Sequence, residues 1–127
     1  ALKHPGGCLG VRIEDKDSVL AYWTDTSHLE GQLTEGVMKL AEGAGLLIHD
    51  THFRNKSEAK KFEDWGHSSW EQAVQVAKQA RVGMLALFHY SPELPDNAVD
   101  EIAVTARQSF SRTIASREGL RLDLPIG

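Results

Sequence analysis

The chain reads as a single α/β layered domain, and three observations carry that reading. Short, almost wholly apolar runs (Val19 to Trp23, Leu46 to Ile48, Val82 to Phe88) alternate with longer stretches of helical spacing. The runs are short and closed by polar or turn residues, as strands buried on both faces are. The length, 127 residues, suits one domain spanning 1–127 and leaves no room for two ordinary ones. A chain of this size buries roughly two-thirds of its unfolded surface, enough for a real core.

Each element follows from local chemistry. Pro5-Gly6-Gly7 makes a turn, and Gly7 to Glu14 reads as a first strand. Glu14-Asp15-Lys16-Asp17 is the hairpin turn into the strand Val19 to Trp23. Leu33, Val37, Leu40 and Ala41 fall at helical spacing, and Gly43 ends that helix. Leu46 to Ile48 is a buried strand, and residues 53–65 are charged and irregular, an exposed loop with room for one helical turn. Ser68-Ser69-Trp70-Glu71 matches an S-x-x-E capping box. The helix it opens carries Trp70, Ala73, Val74, Ala77 and Ala80 on one face. Val82 to Phe88 is a further buried strand, and Val99, Ile102, Ala103, Ala106 and Phe110 form the stripe of a last helix capped by Asp96. Leu120 to Leu124 alternates apolar with charged and reads as a half-exposed final strand. The order is β-β-α-β-α-β-α-β.

Composition excludes several classes of function. Apolar residues make up 41% and charged residues 25%, which is globular and not disordered. Fourteen Lys and Arg against eighteen Asp and Glu give a net charge of −4, a poor balance for a protein that wraps a duplex. The single cysteine, Cys8, rules out an internal disulfide and suits a reducing, cytoplasmic setting. No apolar stretch approaches the ~18 residues needed to span a bilayer. Residues 1–15 carry no signal-peptide pattern. The chain starts at Ala1 and not Met, as a processed, trimmed or partial chain does.

Chemistry concentrates at strand ends. The second strand runs into Thr24-Asp25-Thr26, the third into His49-Asp50-Thr51-His52 and the fourth into His89. Neighbouring parallel strands would bring Asp25, Asp50 and His89 to one edge, where α/β sheets form their sites. His67 stands just before a helix N-terminus, and His4 lies before the first strand. Carboxylate and imidazole in such a cluster suit zinc. The plainer reading makes Asp25 a turn residue or cap and the strand-end histidines structural. His28 and His52 have no special context and read as surface residues. Trp23, Trp65 and Trp70 read as core or rim packing.

Five ordered segments resemble the C-terminal half of a metallo-β-lactamase-fold hydrolase of the RNase Z and phosphodiesterase branch. They are His4-Pro5-Gly6-Gly7-Cys8-Leu9-Gly10-Val11-Arg12-Ile13-Glu14, Tyr22 to Thr26, Leu46 to Phe53, Gly66-His67-Ser68-Ser69 and Leu87 to Pro92. They are similar in turn to the family's "H…GYRIE", "GDT", "LLIHEATF", "GHST" and "LTHFSP". The resemblance implies half of an αββα sandwich, a mixed sheet flanked by helices. It implies that His4 serves the first of two zinc ions, that Asp25 bridges them, and that His89 completes the second. It implies further that His67 and Asp50 form a proton-donating pair near the leaving group.

One departure stands out. The family's H-x-H-x-D-H motif, which supplies four of the seven protein ligands in the intact family site, is absent from these 127 residues. This chain would hold neither zinc tightly alone. Two readings follow: part of a metal-dependent hydrolase whose N-terminal half lies elsewhere, or a non-catalytic half-domain. Either is expected to pair, with that half or as a homodimer, because half a sandwich leaves an apolar sheet face bare. A third expectation has symmetric copies joining their His4, Asp25 and His89 to bind one metal per site. The substrate expected from the resemblance is a small phosphodiester, with an ester next. A nucleic acid is not favoured, because no basic arm is present; Arg54, Lys56, Lys60 and Lys61 sit among acidic residues.

Overall fold

A two-residue turn folds the first strand onto the second. Lys16 adopts the left-handed conformation that such a tight hairpin needs, with φ of 46°. The computed structural model describes residues 2–28 and 33–125. In it β1 (Val11–Asp15) pairs antiparallel with β2 (Ser18–Tyr22). From β2 the sheet continues in parallel through β3 (Leu46–Asp50), β4 (Met84–Phe88) and β5 (Thr113–Ala115), in sequence order. The parallel steps are crossed by α1 (Glu35–Ala41), by α2 (Lys56–Lys61) with α3 (Trp70–Gln79), and by α4 (Asp96–Ser109). The expected mixed sheet with helices is therefore present. No described helix is long and apolar enough to cross a membrane.

The helices cover one face of the sheet. Ala21, Leu47, Leu85 and Leu87 point into a core built with Val37 and Ala41 of α1, Ala73, Val74, Val76 and Ala77 of α3, and Ile102 and Ala106 of α4. Trp23, just beyond β2, is the largest fully buried side chain in it. Alternation along each strand puts Val11, Ile13, Leu20, Tyr22, Ile48, Met84, Phe88 and Ile114 on the opposite face. These side chains lie outside the helix-packed core, and Val11, Ile13 and Tyr22 are 43%, 52% and 36% exposed. So β2 is not buried on both faces, as its apolar sequence suggests.

Four local expectations are corrected. Residues 53–65 are not a loop. Asn55 accepts from the Glu58 N–H at 3.0 Å and opens α2, and Glu63–Trp65 add a 3-10 turn. The capping box shifts by one residue. The Ser68 hydroxyl donates to the Thr26 carbonyl, so Ser69 is the cap and its N–H donates to Gln72 Oε1 at 2.9 Å. Pro95, in extended backbone, caps α4, which places Asp96 inside the first turn. Residues 120–124 form no strand: β5 already occupies the edge beside β4, and Leu120 and Leu124 remain 40% and 39% exposed.

Candidate metal and proton-transfer site

The parallel strands end at one edge, and their exits carry the site. Buried Trp23 anchors the chain as it leaves β2, and its backbone N–H donates to the Ile48 carbonyl at 3.1 Å. Two residues on, the Asp25 carboxylate accepts from the Thr24 hydroxyl. Asp50 closes β3 and is wholly shielded from solvent. Three donors converge on it: Thr26 N–H at 3.1 Å, His52 N–H at 3.0 Å and His67 Nδ1–H at 2.8 Å. That is the setting of an ionised carboxylate.

His89 follows β4 with φ of 59°, a left-handed conformation that is strained for a side chain with a Cβ. Tyr90 pins the turn, its one O–H shared between the carbonyls of Leu87 at 2.7 Å and Ser116 at 3.0 Å. Burial pushes that phenol up to about 12, so it stays a donor at any physiological pH. His89 Nε2 lies 3.6 Å from Asp25 Oδ1. His4 arrives from the other side through the Leu2–Cys8 bridge, and its Nδ1–H donates to the Gly66 carbonyl at 2.9 Å. Gly66 has φ of 78°, and a Cβ there would meet His4 Nδ1 at 2.4 Å.

His67 stands at the centre. Its Nδ1 is 3.9 Å from Asp25 Oδ1, and its ring lies 5.2 Å from that of His4 and 5.1 Å from that of His89. All five residues singled out in the sequence, His4, Asp25, Asp50, His67 and His89, thus share one edge of the sheet. Strand-end placement carried three of them, and the family-like motifs carried His4 and the pairing of His67 with Asp50.

Two histidines read from sequence as surface residues are not. His52 stacks on His67, with ring centroids 4.5 Å apart and planes at 21°. Its signal was the His49-Asp50-Thr51-His52 run, which puts a second imidazole at the exit of β3. His28 is 8% exposed and pairs with fully buried His49, Nε2 to Nε2 at 3.0 Å. His49 Nδ1–H donates to the Asp50 carbonyl at 2.7 Å, so His49 Nε2 accepts and His28 Nε2–H donates. No sequence pattern signals that pair.

Charge is distributed unevenly among these groups. Burial raises the Asp25 carboxyl, but the Thr24 hydrogen bond and the charges of His89, His4 and His67 outweigh it and hold it below the usual carboxylate range. The hydrogen bond to Asp50 raises His67, against the opposing effect of burial. Burial lowers His52, reinforced by His67 and His89. Burial also pushes Asp50 up, opposed by its three donors.

The donor set fits a borderline cation. Ligand atoms of His4, Asp25 and His67 lie within 4.8 Å of one another, as do those of His52, His67 and His89. His4 gives its Nδ1–H to a carbonyl, which leaves Nε2 as the ligating nitrogen, the usual arrangement for a metal-bound histidine. His89 turns its Nε2 toward Asp25 Oδ1, which leaves that nitrogen available beside the carboxylate.

Comparisons with known proteins agree on one family. The sequence profile of the beta-lactamase superfamily domain matches residues 1–90. Ribonuclease Z of Thermoplasma acidophilum is 34% identical over 117 residues, which is 92% of this chain and 34% of that protein. Ribonuclease Z of a Synechococcus species is 37% identical over 108 residues, 83% of this chain and 32% of that one. The chain spans about a third of the length of these curated relatives. The metallo-beta-lactamase fold protein YhfI from Bacillus subtilis matches with a TM-score of 0.76 at 25% identity, over 94% of this chain and 45% of its own. Human tRNase Z, short form, shares the fold with a TM-score of 0.67 at 23% identity, over 92% of this chain and 37% of its own.

Proposed function

The chain belongs to the beta-lactamase superfamily, and on that premise we propose that it forms part of a zinc-dependent phosphodiester hydrolase. The observation that carries the proposal is the 2.8 Å contact between His67 and Asp50, set beside Asp25 and His89 at one sheet edge. His4 would hold one zinc, His89 the other, and Asp25 would bridge them. When bound, such ions would acidify water and neutralise charge on phosphodiester oxygens.

The chain's own residues do the remaining work. Asp50 holds Nδ1 of His67 and favours its charged form. The other ring nitrogen, Nε2, then carries the proton that the departing oxygen takes. Buried Asp50 is itself fixed by two backbone N–H groups, so the imidazole has one orientation. The net charge of −4 and the mixed charges of residues 54–61 favour a small phosphodiester over a long nucleic acid. The lone Cys8 supports a reducing, cytoplasmic setting.

Three ligands shared between two metals do not make a tight site, so on this reading an H-x-H-x-D-H half, on this or another chain, supplies the remaining donors. The apolar sheet face of Val11, Ile13, Tyr22 and Phe88 supports a second layer packed against it, from that segment or from a second copy. The same face also favours the second reading, a non-catalytic half-domain that pairs.

Zinc content recorded with mass in solution tests both readings. We expect the chain to pair, and to bind zinc weakly alone and more weakly still as Asp25→Ala. Supplied with the H-x-H-x-D-H half, it should hydrolyse bis(p-nitrophenyl) phosphate. Zinc binding indifferent to Asp25→Ala, or a stable monomer that never takes up metal, would overturn the hydrolase reading.

A further inference from the structure

His52 has no part in the hydrolysis proposed above, yet it closes a triangle of imidazoles. Its ring centroid lies 4.5 Å from that of His67 and 6.1 Å from that of His89, and the rings of His67 and His89 are 5.1 Å apart. One ligand nitrogen from each falls within 4.8 Å of the others. Zinc–nitrogen bonds of about 2.1 Å set three such nitrogens about 3.4 Å apart, a spacing that small side-chain rotations reach from there.

Backbone hydrogen bonds hold the three loops together. The Thr51 N–H donates to the Phe88 carbonyl at 2.7 Å, the Phe53 N–H to the Ser68 carbonyl at 3.1 Å, and the Ser91 N–H to the His52 carbonyl at 3.3 Å. Each ties the His52 loop to that of His67 or His89, so the chain itself assembles the three rings. Asp50 fixes two of them, accepting from the His52 backbone N–H at 3.0 Å and from His67 Nδ1–H at 2.8 Å. A histidine whose Nδ1–H is held by a carboxylate presents Nε2 as a ligand. Nδ1 of His52 is buried with no hydrogen-bond partner among the described residues, so no described protein group competes for it.

Three imidazole nitrogens and no oxygen select a borderline transition-metal ion over magnesium or calcium. We infer that His52, His67 and His89 form a site for one divalent transition-metal ion, separate from the sharing of His4, Asp25 and His89 between two zincs. The two arrangements exclude each other. His89 cannot serve both, and an ion on His67 Nε2 takes the lone pair that would hold the proton, which passes to solvent. An ion at the three histidines is thus a resting arrangement that proton transfer must leave. That consequence, unlike the binding, rests on the hydrolase reading above.

The test titrates zinc into the metal-free chain, followed by calorimetry and by the ring ¹⁵N signals of histidine. One zinc per chain should bind, and the His52, His67 and His89 signals should move together; magnesium should move none of them. His52→Phe keeps an aromatic ring beside His67 and removes the nitrogens, and should weaken zinc binding about tenfold or more, the least that loss of a metal-site partner costs. No zinc uptake, His52 signals that stay in place, or unchanged affinity in His52→Phe would overturn the site. Affinity that ignores His52→Phe but falls in Asp25→Ala would reject the site and keep the hydrolase reading. Affinity that falls in His52→Phe but ignores Asp25→Ala would keep the site and reject that reading. With the H-x-H-x-D-H half supplied, His52→Phe should reach half-maximal hydrolysis at lower zinc than wild type, and an equal requirement would overturn the resting role.

Discussion

Two pairs of polar side chains meet at the end of β3, His28 with His49 and His67 with Asp50, and behave in opposite ways. On one side His28 and His49 are buried together with no carboxylate hydrogen-bonded to either ring. Burial lowers His28 to about 4 and His49 well below its usual range, and the pair is held by one neutral N–H to N hydrogen bond. On the other side His67 meets a carboxylate at 2.8 Å and its pKa rises. Burial alone makes a histidine a neutral structural part. Partial burial against an anion makes it a proton donor.

The sharpest way to break this contrast is to remove each histidine in turn. With the metal site completed, His67→Ala should lower phosphodiester hydrolysis by about 10²–10⁴-fold, the usual worth of a positioned general acid, while unfolding in urea stays close to wild type. An equal loss of activity from a His28 variant that still folds would erase the distinction.

Acid should act on the buried pair. Unfolded His28 takes up a proton near 6.5 and folded His28 only near 4, so the unfolded state binds protons first as pH falls. Stability present above 6.5 is then lost progressively down to about 4, a decline of about 3 kcal/mol from this residue. Urea midpoints measured in steps across that window should fall with pH, and a flat profile would refute the neutral pair.

His28→Leu sharpens the same point. It removes the donor to His49 Nε2 and leaves a buried acceptor unsatisfied, at a cost of about 1–3 kcal/mol near neutral pH. It should also flatten the acid decline, which the same urea series reads. The smallest expected effect is a shift of titration in the metal-free chain. The raised pKa of His67 adds stability below its unfolded value, and that stability is lost as pH rises through the folded one. Asp50→Asn removes the charge responsible, so His67 ring signals should titrate at lower pH than in wild type.

Legibility differs between these neighbours for a physical reason. Asp25, Asp50 and His89 were readable because each ends an apolar run, and parallel strands place such ends together. His52 was misread because its partner, His67, lies across the α2 crossover, where no local pattern reaches. His28 was misread because its polar neighbours mimic a surface segment, while its ring packs against His49 of β3. β5 escaped because three residues, Thr113–Ala115, carry too little alternation to signal a strand. Leu120 to Leu124 alternates well but pairs with no strand, and Leu120 and Leu124 stay exposed.

Periodicity thus settled the α/β class, four of the five strands, the three longer helices and the polar residues at the strand exits, because alternation and helical spacing are properties of neighbours along the chain. Packing settled which sheet face is covered, which histidines are neutral, and that His52 joins His67. Those outcomes depend on desolvation and on contacts between residues far apart in sequence, which no local pattern encodes.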